Sequence, residues 1–222
     1  MVLMYAKVRI KGSKPLLIHL FTPETLSLER RERSGVAGND PEEWKRTYTA
    51  NENGQLYVDP SYIFGCMREA SKYTKSGRGS IQPKLSATLQ VLSSRIYFNR
   101  FMPEEITQDE NEPVYLDVRS VRNPTTKGRN IRYRVAISSG WETEFEIIWD
   151  NTVLASQQIQ AVLYDAGMLV GLADGRSIGY GRFEVNTIET MLYEDFKNNK
   201  NTQKEKLENA QKTSTQRSMD SD

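Results

Sequence analysis

The chain reads as an α+β protein with a ferredoxin-like, RRM-like βαββαβ core, and three observations predict it. Tyr5 to Ile10 alternates Tyr-Ala-Lys-Val-Arg-Ile, which places Ala6, Val8 and Ile10 on one face of a first strand. Two helical patterns, over about 60–74 and 154–170, are separated by a strand-rich stretch. Phe183, Val185 and Thr187 then alternate with Arg182, Glu184 and Asn186 as a closing strand. With 222 residues and 37% hydrophobic content, one core with a long insertion and a tail is the simplest division.

Each element has a local reason. Asp59-Pro60 is a helix cap followed by proline at the first helical position, and Ile63, Met67 and Ala70 keep one side of the first helix apolar. Residues 22–55 hold Gly35, Gly38, Asn39, Asp40, Pro41 and Gly54 among mixed charges, a loop-rich excursion with no regular period. Ser86 to Phe98, with Leu89, Val91, Leu92, Ile96, Tyr97 and Phe98, suits a strand or hairpin. Ile131, Tyr133, Val135 and Ile137 alternate with Asn130, Arg132 and Arg134, so both arginines project from one side of a strand. The alternation from Trp141 to Trp149 puts Trp141, Thr143, Phe145, Ile147 and Trp149 on a buried side and Glu142, Glu144 and Glu146 on the other. The second helix follows with Ala155, Ile159, Val162, Leu163, Ala166 and Leu169 at helical spacing. The predicted domain spans 1–193, with an insertion over about 100–137. Residues 194–222 form a polar tail expected to be disordered or only marginally helical.

Charge is unevenly distributed behind a net value of +1. From Ala70 to Pro103 there is no acidic residue, yet Lys72, Lys75, Arg78, Lys84, Arg95 and Arg100 are present. A second acid-free run from Val118 to Trp141 carries Arg119, Arg122, Lys127, Arg129, Arg132 and Arg134. Between them lie Glu104, Glu105, Asp109, Glu110, Glu112 and Asp117 without a lysine or arginine, a block that suits a complementary face of a neighbouring copy. The stretch Gly171–Phe183 packs four glycines and two arginines between a helix and a strand. Glycine there permits positive φ and close backbone approach, and Arg176 and Arg182 can fork onto phosphate oxygens. A glycine-rich turn that merely joins two elements explains the same residues, but two basic runs beside it read as the electrostatic footprint of a nucleic acid.

Other classes find less support. No apolar run approaches the roughly 18 residues of a membrane span, and the amino terminus lacks a secretory pattern, so a soluble, cytoplasmic protein is expected. One cysteine, Cys66, and one histidine, His19, leave no basis for a structural metal, and no cofactor is expected. His19 ends the apolar run Pro-Leu-Leu-Ile-His-Leu-Phe, where a lone histidine is more simply structural. Cys66 is most simply a small helical residue.

The glycine stretch resembles the RAMP superfamily, which includes backbone subunits and guide-processing endonucleases of CRISPR ribonucleoproteins. Gly171, Gly175, Gly179, Tyr180, Gly181 and Arg182 carry the likeness, with Ser177 inside the loop, and Asp59-Pro60-Ser61 through Gly65 and Arg68 resemble the turn opening the family's first helix. The spacing of the paired glycines differs slightly from the commonest form. The likeness covers roughly 5–190, is strongest over 171–185, and extends to short RAMP-like phage proteins. It implies a subunit that polymerises along single-stranded RNA, or single-stranded DNA, beside other ribonucleoprotein subunits. Residues 119–134 would be a thumb-like insertion with Arg129, Arg132 and Arg134 on phosphates and Tyr133 in the core or on a base. Tyr180 would pack or stack. It also implies alternatives: endonuclease members often use a histidine, for which His19 is the candidate, and some backbone subunits cleave with a loop aspartate, for which Asp40 is the candidate. A protein-assembly module without nucleic acid is the reading from a third class.

Overall fold

The computed structural model describes residues 1–20, 41–76, 79–122 and 128–202. In order it contains β1 (Leu3–Gly12), β2 (Leu16–Ile18), β3 (Gln55–Val58), α1 (Ser61–Ala70), the two-residue strands β4 (Lys75–Ser76) and β5 (Gly79–Ser80), α2 (Gln82–Thr88), β6 (Gln90–Val91), β7 (Ile96–Phe101), β8 (Val114–Arg122), β9 (Arg129–Ile137), β10 (Glu142–Asp150), α3 (Ser156–Asp165) and β11 (Phe183–Leu192). A short 3-10 turn occupies Glu43–Arg46, and α3 runs on into a π-helical turn over Ala166–Val170.

The main sheet has the order β11-β1-β10-β7-β3, with β6 also on β10, and each pairing is antiparallel. Taking α1 and α3 as the two helices, this is the ferredoxin-like arrangement, in which the first and last strands are neighbours and the third lies inside the split βαβ unit. Alternation decides what faces the helices. Ala6, Val8 and Ile10 of β1 and Phe145, Ile147 and Trp149 of β10 are buried against Ile63, Met67 and Ala70 of α1 and Ile159, Val162 and Leu163 of α3. Trp141 closes one end of this core. Its ring meets Phe98 and Phe183 edge-on, and its indole N–H donates to the Lys14 carbonyl at 2.9 Å.

The insertion is a long hairpin. β8 and β9 pair from Val114–Ile137 at the root to Arg122–Arg129 at the tip, and β2 joins β9 through Leu16–Ile137, Leu17–Ala136 and Ile18–Val135 to give a second, three-stranded sheet. The hairpin is thus anchored to the segment directly after β1.

Three sequence expectations change. The first helix closes at Ala70 rather than 74, although Asp59 holds its start by accepting the Ser61 N–H at 2.8 Å. The stretch expected as a strand from Ser86 begins inside α2, because Ile81 and Leu85, four residues apart, are both buried and Pro83 suits a first turn. Finally, residues 193–202 are helical, with the Phe196 ring stacked 3.9 Å from Tyr5. The tail expected from 194 therefore starts with a helix, and its remainder, 203–222, lies outside the described residues.

The sheet face away from the helices is tied by ion pairs. Lys7 and Arg9 both reach Glu144, at 2.7 and 2.6 Å, Lys11 reaches Glu142 at 3.5 Å, and the Tyr5 hydroxyl donates to Glu146 at 2.8 Å. In register, Glu184 and Glu189 of β11 flank Lys11 and Lys7 from the other side. Five carboxylates therefore surround three cations. Partial burial pushes the Glu144 carboxyl up, but the hydrogen bonds and charges of Lys7 and Arg9 together prevail and hold it below the usual range. A depressed carboxylate adds stability that is complete above the unfolded value of about 4.3 and is lost as pH falls through the folded value. Glu144→Gln is therefore expected to reduce stability near neutrality and to flatten its decline below about pH 4, as measured by thermal melts from pH 2 to 7.

Candidate nucleic-acid interface

The glycine stretch folds back on itself. Gly171, Gly175, Gly179 and Gly181 all have positive φ, between 68° and 92°, as does Ala173 at 61°. A β-carbon on Gly181 would lie 1.9 Å from the Leu172 carbonyl oxygen, and one on Gly171 would lie 2.6 Å from that of Tyr180. The two arms of the loop thus cross in contact, joined by the Leu172 N–H to Gly181 O bond at 2.8 Å. The Gly181 N–H donates to Pro15 O and the Asp174 N–H to Leu17 O, so the loop also sits on β2. Sequence reading gave these glycines to a ligand's backbone. Gly171 and Gly181 instead serve the chain's own backbone, and Gly175 packs against Leu17 and Tyr180. Only Gly179 faces open space.

The carbonyl of Gly171 accepts from the Cys66 thiol at 3.0 Å, which ties the loop to α1. Burial pushes that thiol up to about 12, so it stays protonated and serves as a structural donor.

The hairpin root meets this loop through charge. Arg134 of β9 is 8% exposed, and its Nε lies 3.2 Å from Asp174 Oδ2, a charge contact rather than an aligned hydrogen bond. Arg119 donates to Asp117 Oδ1 at 2.5 Å, lies 3.7 Å from Glu110, and covers the Tyr180 ring at 4.7 Å. Tyr180 itself packs on Leu17, Tyr115 and Ala136. Arg132 donates to Glu43 of the 3-10 turn, and the same carboxylate oxygen lies 3.2 Å from His19 Nε2. Hence three of the arginines expected on phosphates are engaged by carboxylates, Arg132 and Arg134 by ones distant in sequence and Arg119 by Asp117 of its own strand. For Arg134 the expectation of a free phosphate contact is corrected, because its side chain is buried beneath the loop. Asp174→Ala is expected to destabilise the protein by about 1–2 kcal/mol, a buried guanidinium losing a half-exposed partner, as read by urea unfolding.

Beside this junction opens a cleft of about 530 Å³. Its walls come from the end of α1 and the turn after it (Glu69, Tyr73), the hairpin (Val121, Arg134), the π-helical turn (Leu169, Val170) and the loop from Asp174 to Ile178 with Arg182. Arg176 and Ser177 are exposed on the loop side. Three arginines face two carboxylates there, a local excess of one positive charge.

The other residues expected at the interface are scattered. Arg122 and Arg129 face each other across the exposed hairpin tip, with no ion pair to either among the described residues. Lys72 and Lys75 flank Tyr73 in the chain, both exposed, and Lys72 pairs with Glu69 at 2.8 Å. Lys84 lies on α2, outside the cleft walls. Tyr133 is half-buried on the hairpin face opposite Arg132 and Arg134. Arg78, Lys127 and Asp40 lie outside the described residues. Sequence reading passed over Tyr73 and Ile178 and counted Leu169 among the apolar positions of the second helix, whereas it lies on the π-helical turn, 42% exposed. The available signal for Tyr73 was an aromatic beyond the apolar face of α1, set between two lysines.

His19 is 10% exposed and lies outside the cleft walls, held against Glu43. Among the described residues no group of three or more His, Cys, Asp or Glu side chains could hold a metal ion, and no helix is long and apolar enough to cross a membrane.

No family model matches the sequence, and no curated protein matches it. Among solved structures the fold is similar to a chain in the cryo-EM structure of the Type III-B Cmr-beta bound to cognate target RNA. The TM-score is 0.50 and the identity 14%, over 86% of this chain and 61% of that one. The present chain thus spans about three-fifths of the length of the one it matches, and at that identity the likeness is one of fold.

Proposed function

We propose that this protein is a noncatalytic subunit that binds single-stranded nucleic acid, RNA in preference to DNA, and repeats along a guide or target strand in a cytoplasmic ribonucleoprotein. The observation that carries the reading is the segregation of charge. Arg176 and Arg182 of the loop line one cleft, with Arg134 beneath them against Asp174, and Arg122 and Arg129 stand at the hairpin tip with no ion pair to either among the described residues, while on the sheet face away from α1 and α3 five carboxylates surround the three cations of β1. A polyanion is drawn to the first surface and repelled by the second. The loop's resemblance to the RAMP superfamily supports the same reading, as does a fold shared with a chain of an assembly solved on target RNA.

Repetition along the strand has its own support. The exposed loop between β7 and β8 carries Glu104, Glu105, Asp109, Glu110 and Glu112, opposite in sign to the hairpin tip, so successive copies can meet through complementary faces. Sedimentation of the protein with single-stranded RNA of increasing length is expected to give particles growing in steps of one subunit. A constant one-to-one complex on every length would refute repetition.

The noncatalytic assignment is supported by the place of His19, the candidate acid–base group, whose Nε2 lies 3.2 Å from Glu43 and which does not line the cleft where the loop arginines gather. Labelled RNA incubated with wild type or with His19→Ala is expected to stay intact in both. Cleavage by wild type that His19→Ala abolishes would establish the endonuclease alternative.

A further inference from the structure

We infer that the outer face of α3 and of the π-helical turn after it is a self-complementary surface through which two copies of the chain pair about a twofold axis; this goes beyond the nucleic-acid reading and does not rest on it. The sequence marks the face by what it lacks. From Asn151 to Ala173 only Asp165 is charged, in a chain of which 27% is charged, and the Asp165 carboxylate already accepts from the Thr74 hydroxyl at 3.0 Å. Ile159, Val162 and Leu163 turn into the core, which leaves Gln157, Ala161, Tyr164 and Met168 in a row on the outer side. Tyr164 is 55% exposed and Met168 76%. The outer face of a solvated helix normally carries charge, whereas a face without it that bears Tyr and Met has the composition of the centre of a protein interface. Without a cation it offers a phosphate backbone nothing.

The order of these side chains says what covers them. A face of one charge sign repels its own copy, and this one does not. Two α3 helices laid antiparallel, with the twofold axis midway between Ala161 and Tyr164, bring Tyr164 of each copy onto Ala161 of the other and Gln157 of each onto Met168 of the other. The large ring meets the small side chain, so the helices can close to the usual spacing of about 8–10 Å. In the same register Gln160 comes opposite Asp165, whose second carboxylate oxygen can accept an amide N–H. The row from Gln157 to Met168 is about 16 Å long, so the pair buries less than a standard interface and separates at micromolar concentration. The twofold axis turns one copy around, which makes this contact distinct from a head-to-tail one between the acidic loop and the hairpin tip.

The test is sedimentation equilibrium of the nuclease-treated full chain from about 1 to 100 µM, as wild type and as Tyr164→Glu. Wild type is expected to pass from monomer to dimer and to grow no further, and to do so equally at about 0.05 and 0.5 M salt, since no ion pair holds the contact. Tyr164→Glu sets two carboxylates near the axis and is expected to weaken the dimer at least about tenfold. Register is read by mixing Gln157→Cys with Met168→Cys and adding a bismaleimide of about 8 Å span: the mixture is expected to form covalent dimers, and each variant alone is not, because like positions lie about 16 Å apart across the axis. Both positions are exposed, and the thiol of Cys66 is buried and does not compete. A wild type that stays monomeric at about 100 µM leaves the face to a different protein and overturns the inference. So do growth beyond the dimer, a dimer that salt dissolves, a Tyr164→Glu dimer as tight as wild type, and cross-linking of either cysteine variant to itself. None of these results bears on RNA binding, which is measured separately.

Discussion

Gly181→Ala is expected to lower stability by about 3–5 kcal/mol and the melting temperature by roughly 10 °C, followed by thermal and urea unfolding. Two costs combine at this residue. Its φ of 68° is disfavoured for any side chain by about 1–2 kcal/mol. Its β-carbon would also stand 1.9 Å from the Leu172 carbonyl oxygen and 2.8 Å from the Leu172 nitrogen, so the crossing arms of the loop must separate. Separation strains the Gly181 N–H bond to Pro15 O and the Leu172 N–H bond to Gly181 O, both 2.8 Å, and with them the seat of the loop on β2. Gly179→Ala is the control. Its φ of 92° carries the conformational cost, but nothing lies within 4 Å of the new carbon, so a loss of only about 1 kcal/mol is expected. Equal losses at the two positions would show that the loop does not pack as described.

Removing the two arginines at the hairpin tip has the largest expected effect on binding. Arg122 and Arg129 are directly opposed across the strands, and no carboxylate engages either among the described residues. Like charges held face to face are unfavourable in themselves and are relieved by an external anion. If each meets one phosphate of a single strand, the double variant Arg122→Ala/Arg129→Ala loses about 0.7 per contact from the log–log salt slope, roughly 1.4 in all. Affinity at low salt is expected to fall by about 10- to 100-fold. Thermal stability should stay within about 0.5 kcal/mol, because both side chains are on the surface. Matching substitutions at Lys7 and Arg9, on the ion-paired sheet face, are expected to leave RNA affinity unchanged. A reversed pattern would move the interface to the sheet.

Much of the fold was legible because burial is periodic. The alternation over 5–10 and 141–149 named the inward side of the two central strands, since each packs only one face against helices. Of the inserted hairpin only β9 was legible, from the alternation around Arg132 and Arg134, while β8 went unread, and the glycine loop was legible from composition. What a linear reading could not supply were partners far apart in the chain. Arg134 meets Asp174, Arg132 meets Glu43, and Arg119 covers Tyr180, so residues that look like free cations are partly neutralised by the fold. The glycines misled for a related reason: close backbone approach was correct, but at Gly171 and Gly181 the approaching backbone is the chain's own. The Ser86 boundary failed because Ile81 and Leu85, whose spacing announces a helical turn, precede the β-rich residues and draw the segment up to Thr88 into α2. The cleft was invisible in sequence, since Tyr73, Leu169 and Ile178 come from three separate elements.

The central claim, that the hairpin and loop surface binds a single nucleic-acid strand, is tested most directly by fluorescence anisotropy of a labelled single-stranded RNA titrated with the purified, nuclease-treated protein at a series of salt concentrations. The account predicts tight binding at low salt that weakens linearly on a log–log plot, with a slope reduced in the Arg122→Ala/Arg129→Ala variant. Failure to bind RNA or single-stranded DNA at any salt concentration, or binding with a flat salt response, would contradict it.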